Sequence, residues 1–260
     1  MNKKIGDVAI SLADFVATVE IQRPPHNFFD VELIRDLAEV FTELDATSDC
    51  RVLVLAAEGK SFCAGANFSG ADNVLEKQNS DGRNPLYVEA VRLFSNKKPI
   101  VGAIHGAAVG GGLGMALVPD FRVTCPEATF CANFVKLGFH PGFGLTHTLP
   151  ALIGQQKAAL MFYTGRRIKG QQAFDWGLAD ILTTKDQVRD EAIKLAKEIA
   201  ENAPLAVPSV RETLRQGLAE KVQQQTDREG KEQDWQRKTE DFKEGLKAVA
   251  ERRAGVFVGK

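Results

Sequence analysis

Two short segments concentrate small residues, so what they offer a ligand is backbone: Ser61-Phe62-Cys63-Ala64-Gly65-Ala66-Asn67 and His105-Gly106-Ala107-Ala108-Val109-Gly110-Gly111-Gly112. Small side chains let a bound group come close to peptide N–H groups. Those at the start of a helix following Gly110 suit an oxyanion, because helix N-termini leave amides unpaired and carry partial positive charge. The same composition also serves tight packing of strand on helix, and each segment alone supports both readings. Other chemistries lack their signatures. The cluster Gly110-Gly111-Gly112-Leu113-Gly114 misses the third glycine of a dinucleotide fingerprint, and no GxxxxGK[ST], GxSxG or HExxH occurs.

These segments need strands and helices to hold them, and the composition provides for that. The 260 residues are 44% hydrophobic and 26% charged, an ordinary globular balance that can bury a core. Lys plus Arg number 33 against 34 Asp plus Glu, so no overall field recruits nucleic acid or an anionic membrane. Cys50, Cys63, Cys125 and Cys131 form no CxxC pair, which argues against a zinc ribbon or a disulfide framework and for a reduced, cytoplasmic setting. Asp7, Asp14 and Glu20 interrupt any signal-peptide core. The uncharged run Pro99 to Pro119 is long enough for a bilayer, but its six glycines and His105 fit a buried strand, turn and helix better.

Alternation over Asp7 to Gln22 predicts a hairpin, and apolar spacing over Val31 to Ala46 predicts an amphipathic helix capped by Asp30. Arg51–Ala57 reads as a buried strand, Glu58–Gly70 as a loop, Leu86–Ser95 as a helix and Pro99–His105 as a second buried strand. Met115–Val118 reads as helix, Phe121–Cys125 as strand, and Thr148–Thr164 as helix broken around Pro150 and Gly154. A Thr184/Gln187 capping box then opens a helical third covering Asp186–Glu201, Leu205–Gly217 and much of Glu220–Arg253. The fold class is therefore α/β, with a helical appendage.

The two glycine segments, in this order, resemble those of the enoyl-CoA hydratase/isomerase (crotonase) family. The resemblance extends to Arg23-Pro24, Asp120-Phe121-Arg122, Ala128-Thr129-Phe130, Leu137-Gly138, Leu149–Gly154, Thr164-Gly165, Ala173–Leu178 and the ending Phe257-Val258-Gly259-Lys260. It implies a ββα spiral core over residues 1–200 and a C-terminal helical trimerisation region over 201–260. It also implies homotrimers or homohexamers. The ligand it implies is an acyl-CoA thioester, with coenzyme A arriving as part of the substrate and no permanently bound cofactor or metal.

By the same resemblance, the thioester carbonyl falls between the amides of Ala66 and Gly111, with Ala64, Gly65, Asn67 and Gly110 beside it. His26 lies where the nucleotide end is laid, and Phe257 and Lys260 match positions that touch adenine and phosphates. Phe62, Phe134, Phe139 and Phe143 would make an apolar acyl chamber, which fits a plain core equally. Cys63 and Cys131 fit small buried hydrophobes better than nucleophiles.

Three departures matter. The two glutamates that hydratases of the family need fall on Gly114 and Phe134, and the aspartate common in isomerases and halide-displacing relatives falls on Gly142. Neither glycine nor phenylalanine can move a proton. The expectation is therefore an enolate-stabilising enzyme that isomerises, decarboxylates or cleaves a carbon-carbon bond, with His140 or Tyr87 as the nearest candidate side chains. A hydratase with acids displaced to the Asp72–Glu89 segment, and a noncatalytic acyl-CoA binder, are the alternatives.

Overall fold

The computed structural model describes residues 2–66 and 82–260. The chain opens with three antiparallel strands, β1 (Asn2–Ile5), β2 (Val8–Ala13) and β3 (Val16–Ile21), followed by helix α1 (Val31–Ala46). Asp30 caps α1 by accepting the Leu33 N–H at 2.9 Å, and the helix buries Leu33, Ile34, Leu37, Val40, Phe41 and Leu44.

Next come three strand pairs. In each, one strand joins a large sheet and the next a small one: β4 (Val52–Ala57) with β5 (Ser61–Cys63), β6 (Ile100–Ile104) with β7 (Ala107–Val109), and β8 (Phe121–Thr124) with β9 (Thr129–Cys131). Helix α2 (Pro85–Phe94) follows the first pair and α3 (Gly111–Ala116) the second. Then come α4 (Leu145–Ile153), α5 (Gln155–Thr164), β10 (Arg167–Lys169), α6 (Gly170–Asp175), β11 (Ile181–Leu182), α7 (Val188–Ala200), α8 (Ala206–Leu214), α9 (Leu218–Gln236) and α10 (Glu240–Ala250).

The large sheet has the order β1-β2-β3-β4-β6-β8-β11 and the small one β10-β9-β7-β5, both mixed. This is the ββα spiral with C-terminal helices. Strands β4 and β6 are buried at every residue, as their unbroken apolar runs require of parallel strands covered on both faces. The core runs through the chain as one cluster that reaches Val222 on α9 and Phe242 on α10. Among the described residues, no helix is long and apolar enough to cross a membrane.

Several expectations need correction. The loop expected over Glu58–Gly70 contains β5, and the glycine-rich stretch after His105 contains β7; three-residue strands are too short to show a period. Strand β1 was not expected, because its sequence NKKI is an exposed, basic edge. Pro150 sits inside α4 without ending it, and the break comes at Gly154, whose φ is +78°. The helical stretch expected over Glu220–Arg253 holds two helices, parted where Thr239 caps α10 by accepting the Phe242 N–H at 3.1 Å. Thr184 makes no side-chain cap; it heads a 3₁₀ turn, and Thr183 instead meets Gln187 at 3.2 Å.

Candidate active site

Strands β5 and β7 pair in parallel, Ser61 beside Ala107 and Cys63 beside Ala108, so the residues that follow each strand emerge side by side. They wall one cavity: Ala64, Gly65 and Ala66 from the first, Val109, Gly110 and Gly111 from the second. The approach is close. Gly65, at φ +106°, has the Val109 carbonyl 3.0 Å from where a Cβ would stand. Gly110, at φ +57° and ψ −125°, turns the chain from β7 into α3 in a conformation open essentially to glycine. A Cβ on Gly112 would collide with the Cys63 backbone, so this glycine allows the two segments to pack together.

The loop before α1 holds the first segment in place. Asn27 is fully buried at φ +51° and donates to the carbonyls of Glu58 at 2.6 Å and Ser61 at 2.8 Å. The Ala64 N–H is taken by the His26 carbonyl at 2.9 Å, and the Phe29 N–H donates to Gly65 at 3.0 Å. Ala66 and Gly111 differ: among the described residues neither N–H donates to a backbone acceptor. Both residues line the cavity.

The rest of the wall is apolar, built by Phe29, Leu86, Tyr87, Phe134, Leu137, Phe139 and Phe143. Edge-on contacts lock these rings, with Phe134 to Phe139 at 5.5 Å and Phe139 to Phe242 of α10 at 5.4 Å. The cavity holds about 50 Å³. Among the described residues its polar side chains are Tyr87 and Asn133.

The positions on which the resemblance places the family's acids are crowded by aromatic groups. A Cβ on Gly114 would stand 2.7 Å from the Phe143 ring, and one on Gly142 would run into the Tyr87 hydroxyl. Phe134 itself lines the wall. Tyr87 donates to Gln233 Oε1 of α9 at 2.7 Å, and Gln233 donates onward to the His140 carbonyl at 2.8 Å. Burial, reinforced by the neighbouring Glu229, pushes the Tyr87 phenol well above its ordinary pKa, so it stays neutral.

Glu229, also on α9, is fully buried and accepts from Gly144 N–H at 2.7 Å and from Thr146 N–H and hydroxyl at 3.0 and 2.6 Å. It caps the start of α4 and is no part of the cavity wall. Burial pushes its pKa up to about 7, against those three hydrogen bonds.

Of the side chains singled out from the sequence, Ala64, Gly65, Ala66, Tyr87, Gly110, Gly111, Phe134, Phe139 and Phe143 meet at this cavity. His140 does not. It lines a separate cavity with Thr146, Phe162 and Tyr163, and its Nδ1 lies 2.8 Å from the Pro141 carbonyl. Phe62 is buried in the core, because strand alternation turns it away from the wall. Cys63 is buried, which pushes its thiol up to about 12 and leaves no thiolate.

His26 is exposed, with Nδ1 3.3 Å from the Ser61 hydroxyl. Phe257 and Lys260 lie on a C-terminal segment folded back on α10, where the Lys260 carbonyl accepts the Glu240 N–H at 2.7 Å. They are outside the cavity wall. Asn67 and most of the Asp72–Glu89 segment lie outside the described residues.

Sequence reading missed Phe29, Asn133, Gln233 and Glu229. The two on α9 carry a faint signal, since Val222, Thr226, Glu229 and Gln233 share one helical face and are buried.

This architecture is the crotonase fold, and comparison with known proteins places the chain among acyl-CoA enzymes. Residues 12–260 match the enoyl-CoA hydratase/isomerase family model, and the chain belongs to that family, whose members act on acyl-CoA substrates as lyases or isomerases. It is 33% identical over 258 residues to the (E)-benzylidenesuccinyl-CoA hydratase of Thauera aromatica, covering 97% of this chain and 99% of the relative. It is 28% identical over 260 residues to the 1,2-epoxyphenylacetyl-CoA isomerase of Escherichia coli K12, covering 94% and 95%. The solved enoyl-CoA hydratase/isomerase of Pseudoalteromonas atlantica superposes with a TM-score of 0.87 at 28% identity, over 97% of this chain and 100% of that one.

Proposed function

We propose that the chain generates a thioester enolate held by the amides of Ala66 and Gly111, and that loss of CO₂ from an α-carboxyacyl-CoA is the reaction its groups support best. The thioester oxygen accepts from both N–H groups. As the bond from Cα to the carboxylate breaks, its electron pair moves into the enolate and negative charge collects on that oxygen. Each such donor is worth about 2.7 to 4 kcal/mol in the transition state.

The observation that carries this reading is the composition of the wall among the described residues: two amides without a backbone acceptor, and no carboxylate. Hydration needs a group to activate water and another to protonate Cα, and the three acid positions are Gly114, Phe134 and Gly142. Isomerisation needs a base, and the Tyr87 phenol is held neutral. Decarboxylation needs no base: CO₂ leaves, the enolate takes its proton at Cα from solvent water, and an apolar wall disfavours the carboxylate more than the departing CO₂. The nucleotide end of coenzyme A belongs on the side of exposed His26, with Phe257 and Lys260 as further contacts.

The test is to incubate the purified chain in deuterated water with short α-carboxyacyl-, 3-oxoacyl- and enoyl-CoA thioesters, followed by NMR. The expected result is CO₂ release with one deuterium placed on Cα and no hydration of the enoyl-CoA. A 3-hydroxyacyl product formed faster than any decarboxylation contradicts the proposal.

A further inference from the structure

Tyr87 lines two cavities. On one side is the 50 Å³ chamber beside Ala66 and Gly111; on the other lies a cavity of about 280 Å³ between α2 and α9, walled by Arg83, Val88, Gln223, Thr226, Asp227 and Lys231. Its neighbours on α2 divide accordingly, Leu86 facing the small chamber and Val88 the large cavity. The side chain is buried and clamped. Its hydroxyl donates to Gln233 at 2.7 Å, and its ring lies over Gly230, where a Cβ would stand 4.0 Å from Cδ2. Gly230 and Gln233 are three residues apart, on one face of α9.

We propose that Tyr87 is the partition that limits acyl length, closing a chamber for short acyl groups off from a larger cavity that a longer chain would need. A cavity requires roughly 10 to 15 Å³ to hold one water-sized group. By that measure 50 Å³ takes about three to five heavy atoms. The thioester carbonyl at the two amides leaves room for a few carbons before the chain meets the Tyr87 ring. The space behind the ring is several times larger, so removing the ring joins the two. This inference rests on the acyl-CoA reading of the site, since it concerns where the acyl tail goes, but it does not depend on which reaction follows.

The experiment is calorimetric titration with saturated acetyl-, butyryl- and octanoyl-CoA, which carry no reactive double bond or carboxylate. Wild type is expected to bind octanoyl-CoA at least tenfold more weakly than butyryl-CoA. In Tyr87→Ala, octanoyl-CoA is expected to bind at least as tightly as butyryl-CoA binds wild type. Tyr87→Phe, which keeps the ring and loses the hydrogen bond to Gln233, is expected to keep the wild-type order.

Equal binding of octanoyl- and butyryl-CoA by wild type overturns the partition, and that comparison needs no variant to fold. So does an unchanged length order in a Tyr87→Ala protein whose circular dichroism matches wild type. Failure of wild type to bind acetyl- or butyryl-CoA is a different result: it contradicts the acyl-CoA reading itself.

Discussion

At position 142 the residue and its neighbours form one unit. A Cβ there meets the Tyr87 hydroxyl and stands 2.7 Å from Gln233 Nε2, so the glycine and the Tyr87–Gln233 hydrogen bond occupy the space an acid would take. Gly142→Asp is accordingly expected to destabilise the protein by about 1 to 3 kcal/mol through overpacking, read from urea unfolding. Combining it with Tyr87→Ala is expected to cost less than the two changes summed, because the ring that clashes is gone. Strict additivity would show that the two sites do not share this space.

What could be read at this scale was backbone. Ala64 to Ala66 and Gly110 to Gly111 were legible because only small residues allow two chain segments to approach so closely. His140 was not: its neighbour Phe139 lines the chamber while His140 faces another cavity, and sequence adjacency does not say which way a side chain turns. Asn133 and Phe29 became visible only when distant elements were brought together.

Among the elements, β2, β3, β4, β6, β8 and α1 were plain in the sequence, since Asp30 caps where expected and the apolar run of β4 is buried throughout. The three-residue strands β5 and β7, which position the two amides, have no periodicity to read. Nor could α9 be assigned its task of supplying Gln233 to Tyr87 and Glu229 to the start of α4.

That last contact carries a pH dependence. Glu229 is raised by burial to about 7 in the folded chain, above its ordinary value of 4.5, so the folded state holds a proton that the unfolded state releases. Its contribution therefore falls as pH rises from about 4.5 to about 7 and levels off above that. Glu229→Gln lacks this slope. Thermal melts should show the variant gaining on wild type between pH 5 and pH 8, and a difference in Tm independent of pH would refute the assignment.

For the molecule as a whole, the single chain leaves apolar surface on and beside α8, with Leu205 87%, Val210 59% and Leu214 81% exposed. Side chains of this kind gathered on one element mark a surface for association. The family resemblance makes self-association the expected use. Light scattering should give a mass that is a multiple of three 28.4 kDa chains. Placing a charge there with Leu214→Glu should shift it toward smaller species, and a wild-type monomer at working concentration would contradict the expectation.

The central claim concerns a carbonyl oxygen between two peptide N–H groups, and infrared difference spectroscopy reads that oxygen directly. With butyryl-CoA carrying ¹³C at the thioester carbon, binding to wild type should move the C=O stretch to lower frequency. Ala66→Pro removes one donor and should lose most of that shift while retaining coenzyme A binding. A thioester that binds wild type with its C=O stretch unmoved from the value in water would contradict the account.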